Sequence, residues 1–135
     1  MIGVVFDSNV YVSALVFGGI PRRVVEGAEL NLFELSVSDP IKADVERVLA
    51  VKFAWPEERI REATSYLWSL AHHVVPKQTV RDCVDPDDNR ILECALEANA
   101  QVIVTGDNHL LRLNPYREIL ILTPRRFIEA QPWQD

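Results

Sequence analysis

Two apolar segments of the sequence each end in an aspartate. The segment IGVVF, residues 2–6, is followed by Asp7, and the segment QVIVTG, residues 101–106, is followed by Asp107. Continuous apolar stretches rich in β-branched residues are typical of strands that are covered on both faces of a sheet. A carboxylate at the end of such a strand lies at the edge where α/β proteins bind their ligands. These two aspartates are therefore the first candidates for a functional site.

Further acidic residues lie in predicted helices or at their starts. Asp85, Asp87 and Asp88 occupy the loop and first turn of a helix predicted in PDDNRILECALEANA. In the helix predicted in SDPIKADVERVL, Asp44 and Glu46 lie about 200° apart around the axis, so only one of them can face a given site. Asp44 borders the apolar stripe of that helix and is the better candidate, whereas Glu46 points toward solvent.

Carboxylates that converge on one edge of a sheet repel one another and raise each other's pKa unless a cation compensates. Mg²⁺ and Mn²⁺ prefer hard oxygen ligands and leave coordination positions for water and substrate phosphate. Such a cation can activate water and stabilise the charge of a phosphodiester under attack. The pattern therefore predicts metal-dependent phosphodiester hydrolysis without a His or Ser nucleophile. Helix capping and turn formation are the better explanation of each aspartate taken singly, and they become weaker when two buried strands end in Asp at the same edge.

The composition is that of an ordinary globular chain. Its 135 residues suit one domain, with 48% hydrophobic and 25% charged residues. The net charge of −6 argues against a protein that simply coats nucleic acid. We expect no signal peptide and no membrane association, since no apolar stretch is long enough to span a bilayer. Cys83 and Cys94 lack metal-site spacing and indicate a reducing, cytoplasmic setting.

Predicted strands and helices alternate along the chain. The strands are predicted at residues 2–6, 32–38, around 74–75, 101–106 and 118–124. The helices are predicted at about 9–17, 21–30, 39–49, 56–73, 86–100 and 124–130. Ser38 is a candidate cap for the third of these helices. The alternation indicates an α/β fold, a three-layer α/β/α sandwich with a central, mainly parallel sheet.

Four segments of the sequence resemble the PIN-domain family. They are VVFDSNVYVSAL, DVERVLAVKF, DPDDNRILECALEANAQVIVTGDNHLL and ILILTPRRFIE. The resemblance covers essentially the whole chain and is most distinctive in the block from DPDDN to VIVTGD. It points to the toxin branch of toxin–antitoxin systems, to which the VapC toxins are related. The resemblance implies a single PIN-like domain over residues 1–135.

The resemblance also implies an activity, a Mg²⁺- or Mn²⁺-dependent endoribonuclease that hydrolyses RNA phosphodiesters. The catalytic acids that the family motif places in this chain are Asp7, Asp44, Asp88 and Asp107. Of these, Asp7, Asp88 and Asp107 would hold metal, and Asp44 would orient the attacking water. The family usually has Glu at the position of Asp44. Whether Asp44 or Glu46 supplies the fourth acid therefore stays open.

The resemblance extends to partners and to residues around the site. It implies an RNA substrate, a cognate antitoxin and a homodimer. Asn9 would orient Asp7, and Asp85 would lie around the metal's ligands without binding the metal itself. His109 is close to Asp107 in the sequence, but a surface role suits it better. The candidate phosphate contacts are Arg22, Arg23, Lys52 and Arg90.

Two other α/β families fit the sequence less well. A haloacid-dehalogenase-like phosphatase needs an acid at position 9, where this chain has Asn9. A phosphoacceptor receiver domain needs a late lysine, whereas Lys77 lies mid-chain. The open alternative is a catalytically degenerate PIN domain that acts as a protein- or RNA-binding module. The sequence does not identify the RNA target, its sequence preference, or the number and identity of the metal ions.

Overall fold

A computed structural model of the protein describes residues 1–134. The strands are β1 (Gly3–Phe6), β2 (Glu34–Val37), β3 (Ala71–His73), β4 (Val102–Val104) and β5 (Leu120–Leu122). The helices are α1 (Ser8–Val16), α2 (Gly19–Glu29), α3 (Asp39–Val51), α4 (Glu57–Ser69), α5 (Pro86–Glu97), α6 (Asn108–Leu111) and α7 (Pro124–Ala130). Within the described residues, no helix has the length and apolar character that crossing a bilayer requires.

The five strands form one sheet in the order β3-β2-β1-β4-β5, and every adjacent pair is parallel. The chain first moves outward from β1 to β2 and β3, then returns to β4 on the other side of β1. Crossovers between parallel strands are right-handed, so this reversal places α1 to α4 on one face and α5 and α6 on the other. The predicted three-layer α/β/α sandwich is confirmed.

The central strands β1 and β4 are buried in the core between the two helical layers. Val4, Val5 and Phe6 of β1 are fully buried, as are Ile103 and Val104 of β4. Their registers pair Val4 with Val102 and Phe6 with Val104, so the two strands end side by side. The residues that follow them, at positions 7 and 105–107, therefore start next to each other at the same edge of the sheet.

Two local predictions were wrong, and one short helix was missed. The strand predicted around residues 74–75 lies instead at Ala71–His73, directly after α4, and Val75 is exposed. Ser38 precedes α3, but its side chain makes no capping hydrogen bond and is buried without a partner. The short helix α6, which follows Asp107, was not predicted.

Candidate metal centre

The candidate site lies where the direction of strand order reverses. β1 stands between β2 and β4, and the chain leaves it toward β2 but returns beside it as β4. In open α/β sheets, ligands bind outside the carboxyl ends of the strands at such a switch point. Asp7 follows β1 directly, and Asp107 follows β4 after a two-residue turn. The topology thus brings two residues that are 100 positions apart to one crevice.

Asp7 is buried at the end of β1 and is tied to β4. Its backbone N–H donates to the carbonyl of Val104 at 2.9 Å, and its carboxylate oxygen Oδ2 accepts from the hydroxyl of Thr105 at 2.7 Å. Burial raises the pKa of Asp7, and the negative charges of Asp107 and Asp44 add to that increase, whereas the bond from Thr105 opposes it. Asp7 is therefore a carboxylate that the fold holds in place at an electrostatic cost.

Thr105 is a site residue that the sequence analysis missed. It is fully buried, and its hydroxyl both donates to Asp7 and accepts from the backbone N–H of Asp107 at 2.9 Å. The hydroxyl therefore links the two acids at the ends of β1 and β4. The sequence analysis expected Asn9 to orient Asp7; Asn9 is exposed, and the side chain that donates to Asp7 is that of Thr105. The only signal in the sequence was a threonine at the end of an apolar strand.

Asp88 lies in the first turn of α5 and is only 5% exposed. Its oxygen Oδ2 is buried and receives no hydrogen bond from any described residue. Burial raises its pKa to about 7, with further contributions from the charges of Asp107, Asp7 and Asp85. A hydrogen bond that only protonated Asp88 can donate to Asp107 favours the neutral form as well. The two carboxyl groups therefore lie close together and repel each other when both are ionised.

Asp107 caps the short helix α6 and lies next to a histidine. Its oxygen Oδ1 accepts from the backbone N–H of His109 at 2.7 Å, and the His109 ring nitrogen Nδ1 is 3.5 Å from the same oxygen. One ligand atom from each of Asp88, Asp107 and His109 lies within 4.8 Å of the other two. The surface role expected for His109 agrees with its exposed ring, but the ring also borders this cluster. Asp7 is not a member of the cluster at that distance.

Asp44 and Glu46 take different sides of α3. The charge of Asp44 contributes to the raised pKa of Asp7, so Asp44 faces the crevice. Its carboxylate forms an ion pair with Arg47, one turn later on the same helix. Glu46 instead lines a groove between α3 and α4, beside Trp55. The helical spacing thus correctly distinguished the two acids by direction.

Three of the remaining sequence candidates have local partners. Asp85 is exposed and caps α5 by accepting from the backbone N–H of Asp87 at 2.9 Å. Arg90 donates to Glu93 at 2.7 Å, and Arg22 is 3.7 Å from Glu26. The other two candidate phosphate contacts, which are exposed, are Arg23 and Lys52.

Arg47, which was not among the candidates, is paired with the site acid Asp44. Its side chain is 58% exposed, and both Asp44 and Asp87 raise its pKa. An exposed guanidinium at the rim of an acidic crevice can meet a phosphate that approaches from solvent.

The arrangement fits a divalent cation. Asp88 has a buried oxygen without a donor and faces a second carboxylate, and Asp7 adds a third negative charge nearby. A cation would relieve the repulsion and supply the partner that Asp88 Oδ2 lacks. Carboxylates are ligands that Mg²⁺ and Mn²⁺ accept, usually in small numbers beside water and phosphate. The residues therefore suit a metal that acts on a phosphate ester.

Comparisons with known proteins agree with the fold. Residues 3–109 match a family model described as a PIN domain. The chain is 30% identical to an uncharacterized protein of Methanocaldococcus jannaschii, in an alignment that covers 95% of this chain and 90% of that protein. It also resembles a chain in the crystal structure of VapBC2 from Rickettsia felis bound to a DNA fragment from their promoter. That match has a TM-score of 0.64 at 14% identity and covers 90% of this chain and 98% of the other.

Proposed function

This chain belongs to the PIN-domain family, and from that premise we propose that it is a metal-dependent endoribonuclease. Its substrate is RNA, and its cofactor is Mg²⁺ or Mn²⁺. The observation that carries the proposal is the buried Oδ2 of Asp88, which receives no hydrogen bond from residues 1–134 and lies near Asp107 at the switch point of the sheet. An unpaired buried carboxylate is costly and calls for a cation.

The proposal assigns one role to each acid. Asp7, Asp88 and Asp107 hold the metal, which when bound supplies a Lewis acid that polarises the scissile phosphodiester. Thr105 keeps Asp7 in position through its hydroxyl. Asp44 orients the attacking water from the side of α3. Positioning is the main contribution of these residues, since phosphate chemistry needs few covalent steps from the protein.

We further propose that the protein is the toxin component of a toxin–antitoxin system. VapBC2, which the fold resembles, was crystallised bound to DNA from their promoter. By analogy, this chain would bind a cognate antitoxin and form a homodimer. Its cysteines, Cys83 and Cys94, are free thiols, which suits the cytoplasmic setting expected from the sequence.

One observation favours the alternative function, a degenerate PIN domain that binds RNA or protein without cutting it. The carboxylate of Asp44 is paired with Arg47, and this pairing competes with the role of orienting the water. A weak fourth acid lowers the rate of cleavage but leaves the metal ligands unchanged. Metal-dependent cleavage therefore separates the two functions.

The test is an RNA cleavage assay on the purified protein. Structured and single-stranded RNAs are incubated with Mg²⁺, with Mn²⁺ and with EDTA. The variants are Asp7→Asn and Asp88→Asn, and the matched control is Asp39→Asn. The side chain of Asp39 is 87% exposed and lies at the start of α3. The substitution at Asp39 therefore removes the same negative charge as the site variants, but outside the crevice.

We expect cleavage by the wild type and by Asp39→Asn that requires metal, and at least a hundredfold loss in Asp7→Asn and Asp88→Asn. Cleavage that survives EDTA or either site variant would contradict the proposed centre. If no RNA is cut but Mn²⁺ binds with an affinity that depends on Asp88, the degenerate binding module is the better description.

A further inference from the structure

His109 supplies a nitrogen atom to a site that is otherwise composed of carboxylates. Its ring is exposed at the second residue of α6, and its backbone N–H is already bonded to Asp107 Oδ1. The ring nitrogen Nδ1 remains 3.5 Å from that oxygen. Within residues 1–134, His109 is the histidine that takes part in a group of three possible metal ligands. The other two histidines, His72 and His73, are exposed on the edge strand β3.

The distances in this group suit a single ion. The ligand atoms of Asp88, Asp107 and His109 lie within 4.8 Å of one another. Two ligands on opposite sides of one ion are separated by about 4.2 Å, since each bond is about 2.1 Å long. The exposed imidazole can rotate to make up the difference, whereas Asp88 is fixed by burial in the first turn of α5.

A second and independent feature points to a ligand here. Asp88 is only 5% exposed, and its Oδ2 is buried and receives no hydrogen bond from the described residues. The cap at the start of α5 is provided by Asp85, so capping does not account for Asp88. A cation held between Asp88, Asp107 and His109 would give the Asp88 carboxylate a partner.

We propose that His109 is a metal ligand, and that the centre is a mixed site in which one nitrogen joins the carboxylates and which prefers a first-row transition ion to Mg²⁺. The inference rests on the proposed metal centre and specifies its chemistry. Imidazole is a borderline ligand that transition ions accept readily, whereas Mg²⁺ binds hard oxygens and keeps most of its waters. A nitrogen ligand therefore increases affinity for Mn²⁺ and for later ions of the series more than for Mg²⁺.

The test uses the full-length protein and does not depend on cleavage. Metal-free wild type is titrated calorimetrically with Mn²⁺ and separately with Mg²⁺, alongside His109→Ala, Asp88→Asn and the control His72→Ala. The Mn²⁺-loaded proteins are then examined by pulsed electron paramagnetic resonance for modulation from a directly bound nitrogen. A sample grown with ¹⁵N-histidine shows whether that nitrogen belongs to an imidazole.

We expect nitrogen modulation in the wild type and in His72→Ala that changes on ¹⁵N-histidine labelling and disappears in His109→Ala. The affinity of His109→Ala for Mn²⁺ should fall at least tenfold, while its affinity for Mg²⁺ changes less than threefold. Circular dichroism checks that the variant is folded, as its exposed position predicts.

Two other outcomes separate the inference from the function on which it rests. If Mn²⁺ binds in an Asp88-dependent manner but shows no nitrogen modulation, His109 is not a ligand and the all-carboxylate centre stands. If folded wild type binds neither ion at millimolar concentration, the metal centre itself is wrong, and both the inference and the proposed nuclease mechanism are overturned.

Discussion

Thr105→Val tests whether one hydroxyl holds the two sides of the site together. The substitution keeps the shape of the side chain and replaces the buried hydroxyl with a methyl group. It removes the 2.7 Å bond to the Asp7 carboxylate and the 2.9 Å bond from the Asp107 N–H. The matched control is Thr105→Ser, which keeps the hydroxyl and loses only the methyl group.

The magnitude follows from these two bonds. A hydrogen bond to a charged group contributes about 1.5–3 kcal/mol, and a buried donor left without a partner costs about 1–3 kcal/mol. The added methyl group of valine is buried and offsets about 1 kcal/mol of this loss of stability. We therefore expect Thr105→Val to lower the free energy of unfolding by about 3 kcal/mol and Thr105→Ser by about 1 kcal/mol. For a chain of this length, the difference corresponds to about 7 °C in the midpoint of thermal unfolding.

The loss should also depend on pH. The hydroxyl donates to ionised Asp7 and lowers its pKa against the effect of burial, so the pKa of Asp7 rises further in Thr105→Val. A folded-state pKa that lies further above the unfolded value removes stability as the pH increases. Chemical unfolding of metal-free protein at pH 4 and pH 8 should therefore show the larger deficit at pH 8. Equal stability of the valine and serine variants at pH 8, or a deficit that is constant with pH, would refute the reasoning.

Three further predictions concern separate parts of the molecule. In metal-free protein at pH 8, Asp88→Asn should raise the free energy of unfolding by roughly 2–4 kcal/mol. The reason is that a folded pKa of about 7 makes ionisation of Asp88 remove stability between about pH 4 and pH 7. Thermal unfolding at pH 4 should show no gain from the substitution, and a loss of stability at pH 8 would contradict the prediction. Arg47→Gln should weaken RNA binding in EDTA and reduce the slope of log affinity against log salt by about 1, measured by fluorescence anisotropy, and an unchanged slope would remove Arg47 from the RNA-binding surface. Gly27→Ala should destabilise the protein by about 1–3 kcal/mol in urea, because the new Cβ would lie 2.7 Å from the Phe33 ring, whereas Gly106→Ala opens into free space and serves as the control.

The sequence predicted the fold class because its strongest signals are buried strands. β1 and β4 are continuous apolar segments whose pattern admits few other structures, and the acids that end them follow from their position alone. β3 was misplaced because Ala71–His73 continues a helical pattern and lies at the edge of the sheet, where two of its three residues are exposed and polar. Edge strands depend on pairing with a neighbour, which local sequence does not reveal.

The site was predicted less completely than the fold. The direction of Asp44 follows from helical spacing, which is a local property. The roles of Thr105 and His109 depend instead on the register between β1 and β4 and on a four-residue helix. The pairing of Arg47 with Asp44 is local, but the sequence offers several such pairs and does not indicate which one borders the crevice.

The position of β4 beside β1 has a consequence for protein synthesis. β1 emerges first from a ribosome, but its neighbour on the site side begins 99 residues later, and Asp107 follows it. A nascent or truncated chain that ends before β4 holds Asp7 without Thr105 or Asp107, so it cannot assemble the centre. A protein with the proposed activity would therefore be harmless to the RNA of the machinery that makes it until most of its chain had been translated.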